Sequence, residues 1–183
     1  MLISMVGKTE IAVFGGGCFW CTEAVFSELM GVFRVTPGYT GGRTDNPTYQ
    51  QVCGGNSGHV EAARIEYDPG LISYNDLLEV FFYTHDPTTP NRQGNDFGEQ
   101  YHSTIFYTDD EQKEMAEKFI DKLIASKEFG APIVTTLRPL TVFYEAEDYH
   151  QGYYRENAGH VYCRVVIAPK LAKLRAKFKD TAK

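Results

Sequence analysis

Two cysteines three residues apart, Cys18 and Cys21 in GGGCFWC (Gly15–Cys21), are the side chains of this 183-residue sequence best suited to chemistry. The apolar run EIAVF (Glu10–Phe14) precedes them, and Val25, Phe26 and Leu29 follow at helical spacing. The motif therefore joins a strand to the first turn of a helix. Unpaired N–H groups and the positive end of the helix dipole favour a thiolate there, and the glycine run lets a substrate approach the backbone closely. Residues i and i+3 on a helix have Cβ atoms about 5–6 Å apart, whereas a relaxed disulfide needs about 3.5–4.5 Å. A Cys18–Cys21 bond would need local distortion and would be readily reduced, as suits a catalytic disulfide. The competing reading of Cys18 is a small buried hydrophobe, but position and pairing favour redox or nucleophilic chemistry. A zinc centre would need a further ligand pair, which Cys53, His59 and Cys163 do not supply at usual spacing. A dinucleotide loop is disfavoured because the last glycine of its pattern would fall on Trp20. Cys53 (TYQQVCGG) and Cys163 (VYCRVV) have apolar neighbours and read as buried, inert thiols, with Cys163 kept as a second candidate redox partner.

Glu61 is the next informative residue. In the strand-like run HVEAARIEY (His59–Tyr67), alternation places it with Ala63, Ile65 and Tyr67, while Arg64 and Glu66 take the opposite face. A carboxyl on a buried face has a raised pKa and can donate a proton near neutrality. The alternative is a glutamate at a strand end whose head reaches water. Asp96 reads on its own as a turn or helix cap. Tyr49, Tyr101, Tyr149, Tyr153 and Tyr154 read as core rings with exposed hydroxyls. His59, His85, His102, His150 and His160 show no pairing by spacing and read singly as structural.

The elements that must position these groups follow from periodicity. Strands are expected over 32–39, 59–67, 102–107 and 140–144, besides the first. Helices are expected over 18–30, from the Ser73/Asp76 capping box to Thr84, over 109–127, over part of 147–157, and from Pro169 through Phe178. Segment 48–52 reads as a turn or short helix and 161–167 as extended. The stretch 85–100 (HDPTTPNRQGNDFGEQ) has no periodicity and exceeds the usual connection of about 4–6 residues, which marks it as a functional loop. Hairpin-like and crossover segments are mixed, which suggests an α+β domain in two layers.

Composition limits the function classes. The net charge of −6 argues against a nucleic-acid module. No apolar run approaches the roughly 20 residues of a membrane span, and the start is too short and mixed for a signal peptide. Four cysteines do not make a disulfide scaffold. The expectation is one cytoplasmic domain over 1–183, with a core of about 11–169 and a C-terminal helix of about 169–178.

GGGCFWC, NPTYQQVCGG, SGHVEAARIEYDP, HDPTTPNRQGNDFGEQY and FYEAEDYHQGYY occur in this order. Together they closely resemble the peptide methionine sulfoxide reductases of the A type, over Ile11 to about Pro169. The resemblance implies an α/β sandwich around a mixed sheet, with a ferredoxin-like β-α-β-β-α-β core and long irregular loops. It implies reduction of the S epimer of methionine sulfoxide, free or in proteins, without a prosthetic group or metal, with thioredoxin as the reductant. Cys18 then matches the nucleophile and Glu61 the acid. Phe19 and Trp20 match the aromatic wall around the substrate methyl group. Tyr49 and Tyr101 match the tyrosines that hydrogen-bond the sulfoxide oxygen, Asp96 the loop aspartate beside the site, and Tyr153 a further pocket tyrosine. Many relatives carry resolving cysteines in a glycine-rich tail that is absent from Lys170–Lys183. Cys21 is therefore expected to resolve the sulfenic acid, with Cys163 as alternative, direct reduction by an external thiol as a third route, and a monomer as the working form. Two rival functions are a thioredoxin-like dithiol oxidoreductase using Cys18 and Cys21, and a non-catalytic methionine-binding module.

Overall fold

The computed structural model describes residues 9–183. The leading segment read above as too short for a signal peptide lies almost wholly outside them. Six strands form one mixed sheet in the order β7-β6-β1-β3-β2-β8. They are β1 (Glu10–Gly15), β2 (Val32–Thr40), β3 (Val60–Tyr67), β6 (Thr104–Tyr107), β7 (Thr136–Pro139) and β8 (Phe143–Glu145). All neighbours are antiparallel except β6 and β7, which run parallel. A separate two-stranded hairpin joins β4 (Arg92–Gln93) to β5 (Asp96–Phe97). The helices are α1 (Phe19–Ser27), α2 (Tyr49–Cys53), α3 (Tyr74–Thr84), α4 (Asp110–Ser126), α5 (Tyr153–Asn157) and α6 (Ala168–Lys177). This is a mixed α+β architecture, as expected. No helix among the described residues is long and apolar enough to cross a membrane.

The main core lies on one face of the sheet. Ala12, Phe14, Ile65, Tyr67 and Ile105 meet Val25, Phe26, Leu77, Leu78 and Phe81 from α1 and α3. The other face carries a small cluster of Val13, Val60, Ala62 and Phe106. Helix α1 is buried nearly all round, with Phe19, Cys21, Thr22, Glu23, Ala24, Val25 and Phe26 all inside. A helix with no solvated face needs cover on both sides. The sheet supplies one side; α5, α6 and the segment before α6 supply the other. Capping boxes at Thr48/Gln51 and Ser73/Asp76 satisfy the free N–H groups that begin α2 and α3.

Three expectations need correction. Segment 161–167, expected to be extended, is helical, and Cys163–Ile167 adopts the wide π form before running into α6. Its Val-rich composition suggested a strand, but packing of Cys163 and Ile167 into the core overrides that preference. The strand expected over 140–144 forms only at its end, as β8 (Phe143–Glu145), while β7 (Thr136–Pro139), on the opposite edge of the sheet, falls where no strand was expected. The loop 85–100 contains the β4–β5 hairpin, which two-residue strands cannot announce by periodicity.

Leu77 is fully buried between α3 and the sheet. Leu77→Ala is expected to lower the urea unfolding free energy by about 2–5 kcal/mol.

Candidate active site

The site lies where β1 ends, β3 begins and α1 starts. Gly17 carries φ +91, and a Cβ there would meet Gln93 at 2.5 Å, so only glycine makes this turn against the β4–β5 hairpin. Cys18 follows as the N-cap of α1, and its carbonyl accepts from the Cys21 and Thr22 N–H groups at 3.0 and 3.4 Å. Glu61 projects from β3 onto the same turn. It is 1% exposed, and its Oε2 accepts the Phe19 N–H at 3.1 Å. Burial pushes its pKa up to about 8, against the lowering effect of that hydrogen bond, and charge on Asp96 and Cys21 pushes the same way. Of the two readings of Glu61, the buried carboxyl holds.

The two thiols are free, buried and hydrogen-bonded to each other. They ionise as a unit. Burial, the Cys21 hydrogen bond and the Glu61 charge push Cys18 up. The hydrogen bond from Cys18 brings Cys21 down to about 7, with help from the Lys170 charge. The first negative charge therefore rests on Cys21, with the Cys18 thiol donating to it. A thiolate preference at Cys18 itself, expected from its place at the helix start, is outweighed by burial.

The aromatic residues converge here. Trp20 donates its Nε1–H to His150 Nδ1 at 3.0 Å. Tyr153 stacks flat on the indole, with centroids 3.6 Å apart and planes 4° from parallel. The Phe19 ring packs on Tyr39 and His150. Tyr49 enters from α2, held by its N–H to Glu147 Oε1 at 2.8 Å, and its ring meets His150. Tyr101 comes from the short 3-10 turn Glu99–Tyr101 that follows β5. Burial and the nearby Glu61 and Cys18 charges raise its hydroxyl pKa; burial and a hydrogen bond to Cys53 raise that of Tyr49. Both phenols are thus held as neutral donors. Asp96, on β5, accepts the Tyr162 hydroxyl at 2.8 Å.

Sequence reasoning missed Tyr162, His150 and Glu147. The Tyr162 hydroxyl lies 3.7 Å from Cys21 Sγ, and its ring meets the edge of Trp20. Misreading 161–167 as extended hid this residue. Glu147 takes the Tyr39 hydroxyl as well as the Tyr49 N–H. The pattern EDYH, which places Glu147 and His150 three apart, was the available signal. His59 and His85 are structural as expected. His59 bridges Gly42 N and Thr44 O; His85 bridges Phe81 O and Ser103. Cys53 departs from expectation, being exposed at the end of α2 beside Tyr49. Cys163 is fully buried, and burial raises its pKa. No group of three or more His, Cys, Asp or Glu side chains among the described residues is placed to hold a metal.

A buried acid, a thiol pair and an aromatic pocket define a thiol-dependent reductase. The family model for peptide methionine sulfoxide reductase matches residues 10–182. The peptide methionine sulfoxide reductase MsrA of Chromobacterium violaceum is 58% identical, over 92% of this chain and 96% of its own. Methionine sulfoxide reductase A of Corynebacterium diphtheriae is similar in structure, with TM-score 0.73 and 36% identity over 86% of this chain and 78% of that one. Reduced Mxr1 of Saccharomyces cerevisiae gives TM-score 0.79 and 32% identity over 89% and 96%. Mxr1 has also been solved in complex with Trx2; that form matches in fold at TM-score 0.57 and 22% identity, over 84% of this chain and 89% of that one. The chain belongs to the peptide methionine sulfoxide reductase family. Its activity is reduction of methionine sulfoxide, and the dithiol oxidoreductase reading is not favoured.

Raised to about 8, the Glu61 carboxyl is protonated at pH 7. Infrared titration should show a protonated-carboxyl band that disappears with a midpoint near pH 8 and is absent in Glu61→Gln. The unfolded group titrates near 4.3, so the folded state binds this proton more tightly. Wild-type stability should therefore fall, relative to Glu61→Gln, as pH rises from about 4.3 to about 8.

Proposed function

We propose that Cys18 is the nucleophile and Glu61 the general acid in reducing the S epimer of methionine sulfoxide. The single observation that carries this is the buried Glu61 carboxyl under the turn that bears Cys18, joined to it through the Phe19 N–H. A sulfoxide sulfur is electrophilic, but its oxygen leaves poorly unless it is protonated. Neutral Glu61 gives the oxygen a proton while the Cys18 sulfur attacks. Cleavage then transfers the hydroxyl to Cys18, releasing methionine and leaving a sulfenic acid. Tyr49 and Tyr101 donate hydrogen bonds to the oxygen. Phe19, Trp20 and Tyr153 wall the methyl group, and Asp96 braces that wall through Tyr162. Before attack, the proton shared by the thiols must move from Cys18 to Cys21; their hydrogen bond supplies the path.

Cys21 is the resolver that the geometry supports best. It touches Cys18 and bears the lower pKa, whereas Cys163 is fully buried with a raised one. The Cys21 sulfur attacks the sulfenic sulfur, expelling water and forming a disulfide. A thioredoxin dithiol then reduces it; the Mxr1–Trx2 complex supports that partner. The reduced thiols fit a cytoplasmic setting. The enzyme is read as one domain acting as a monomer on free or protein-bound substrate. The four strands β6-β1-β3-β2 with crossovers α1 and α3 support the ferredoxin-like reading of the core. Simple dithiol exchange would leave a protonated, buried Glu61 with no task.

Cys18→Ser should abolish sulfoxide turnover, whereas a binding module would keep its function. Glu61→Gln should lower kcat by about 10²–10⁴; near-normal activity would overturn the acid role. The chemical step should slow as pH rises through about 8, where Glu61 loses its proton. After one equivalent of substrate, wild type should lose two free thiols. If Cys21→Ala still loses two, Cys163 is the resolver.

A further inference from the structure

Glu23 is a buried carboxylate that the mechanism above leaves unused. It lies on α1, 6% exposed, one turn beyond Trp20. Its Oε1 accepts the Gly152 N–H at 2.7 Å, and the Tyr153 N–H bonds the same carboxylate. These N–H groups open α5, which has no side-chain cap of its own. Gly152 sits at φ +65 and a Cβ there would meet Arg155 at 3.1 Å, so the chain enters α5 by a turn suited to glycine. The next residue, Tyr153, stacks on Trp20. A path of two hydrogen bonds and one ring contact thus runs from Glu23 to one face of the indole.

We propose that Glu23 is a positioning residue for substrate binding: it caps α5 from α1, and so fixes Tyr153 against Trp20 and sets the methyl wall. This rests on the pocket assignment above. The Tyr153 ring packs on the edge of the core, but its hydroxyl bonds only the exposed His160 at 3.1 Å, so no buried polar partner fixes the side chain. Without the cap, two N–H groups lose their acceptor, the short α5 loses its fixed entry, and the ring is free to leave the indole. Trp20 would still hold its bond to His150, so the wall would loosen rather than collapse. The reaction centre of Cys18 and Glu61 is untouched.

The carboxylate is also poised to release. Burial raises it to about 6, against the lowering effect of the two N–H bonds. Arg155 and Glu156 of α5 face it with opposite charges. Protonation below pH 6 weakens the acceptor that holds α5. Near the indole, His150 titrates separately, its pKa lowered by burial. His160 and Tyr162 are the other titratable contacts of the stacked pair.

Trp20 is the only tryptophan, so intrinsic fluorescence reads the stack directly. Wild-type emission should show a step with midpoint near pH 6, and Glu23→Gln should lose that step while keeping the His150 component. Tyr153→Leu should lose the same step. Glu23→Ala should raise KM for a methionine sulfoxide peptide roughly tenfold, as loss of a charge-assisted hydrogen bond implies, with kcat little changed. A step that persists in Glu23→Gln overturns the proposal, and so does a loss in kcat at unchanged KM. The fluorescence step needs no turnover, so it can fail while sulfoxide reduction stands, and the reverse.

Discussion

The Glu61 carboxyl has one protein hydrogen bond, from the first free N–H of α1, and almost no water. Much of the fold can be traced from that placement. A carboxylate there would lose its hydration in exchange for a single N–H, so the group keeps its proton instead. Keeping water out requires α1 to lie directly on the sheet and to be covered from above. The cover comes from α5, the π segment and α6, which the chain reaches only after completing the sheet. The reacting groups are thus built from residues 18–21 and 61, while their lid is built from residues 147–177. Local sequence sets the chemistry, and distant sequence sets the dielectric in which it runs.

This division explains what could be read in advance. Strand β3 was visible because alternation has a fixed period, and the same alternation exposed Glu61 as the odd polar residue on an apolar face. The Cys18–Cys21 spacing, the capping box at Ser73 and the long amphipathic α4 were visible for similar local reasons. The lid was not. Its helix turns are short, and its residues Tyr162, His150 and Glu147 act through contacts 66 to 141 positions away in sequence. No period links such residues. Segment 161–167 was misread because its valines favour a strand in isolation, and only tertiary packing turns them into helix. Cys53 was misread for the opposite reason. Its apolar neighbour Val52 is buried, but on a five-residue helix the next side chain points elsewhere.

Histidine gave the least information from type alone. His59 and His85 each bridge two groups and hold loops in place. His150 is as buried as either, yet it accepts the Trp20 N–H, and its Nε2 lies near Glu147 without a hydrogen bond. What separates them is not burial but connection: one bonds a ring of the pocket, and the others bond backbone or a core hydroxyl. The Trp20 donor also fixes the tautomer. His150 Nδ1 must accept, so its proton sits on Nε2, facing Glu147 Oε2 at 4.0 Å.

The acid and the thiols are not independent. Negative charge on Cys21 raises Glu61, and negative charge on Glu61 raises Cys18. Each ionisation opposes the other, so near neutral pH the site settles on one anion among the three groups. Cys21 carries it, because the Cys18 thiol and Lys170 favour it there, while Glu61 has only one N–H and the deepest burial. Asp96 adds a further negative charge nearby, but the Tyr162 hydroxyl takes its proton-accepting oxygen, turning a repulsive neighbour into a brace. The arrangement of neutral acid, shared thiolate and hydrogen-bonded aspartate is therefore self-reinforcing. It keeps a carboxyl protonated beside a thiol pair that has already given up one proton, at a pH where an isolated carboxylic acid in water would be ionised and an isolated thiol protonated.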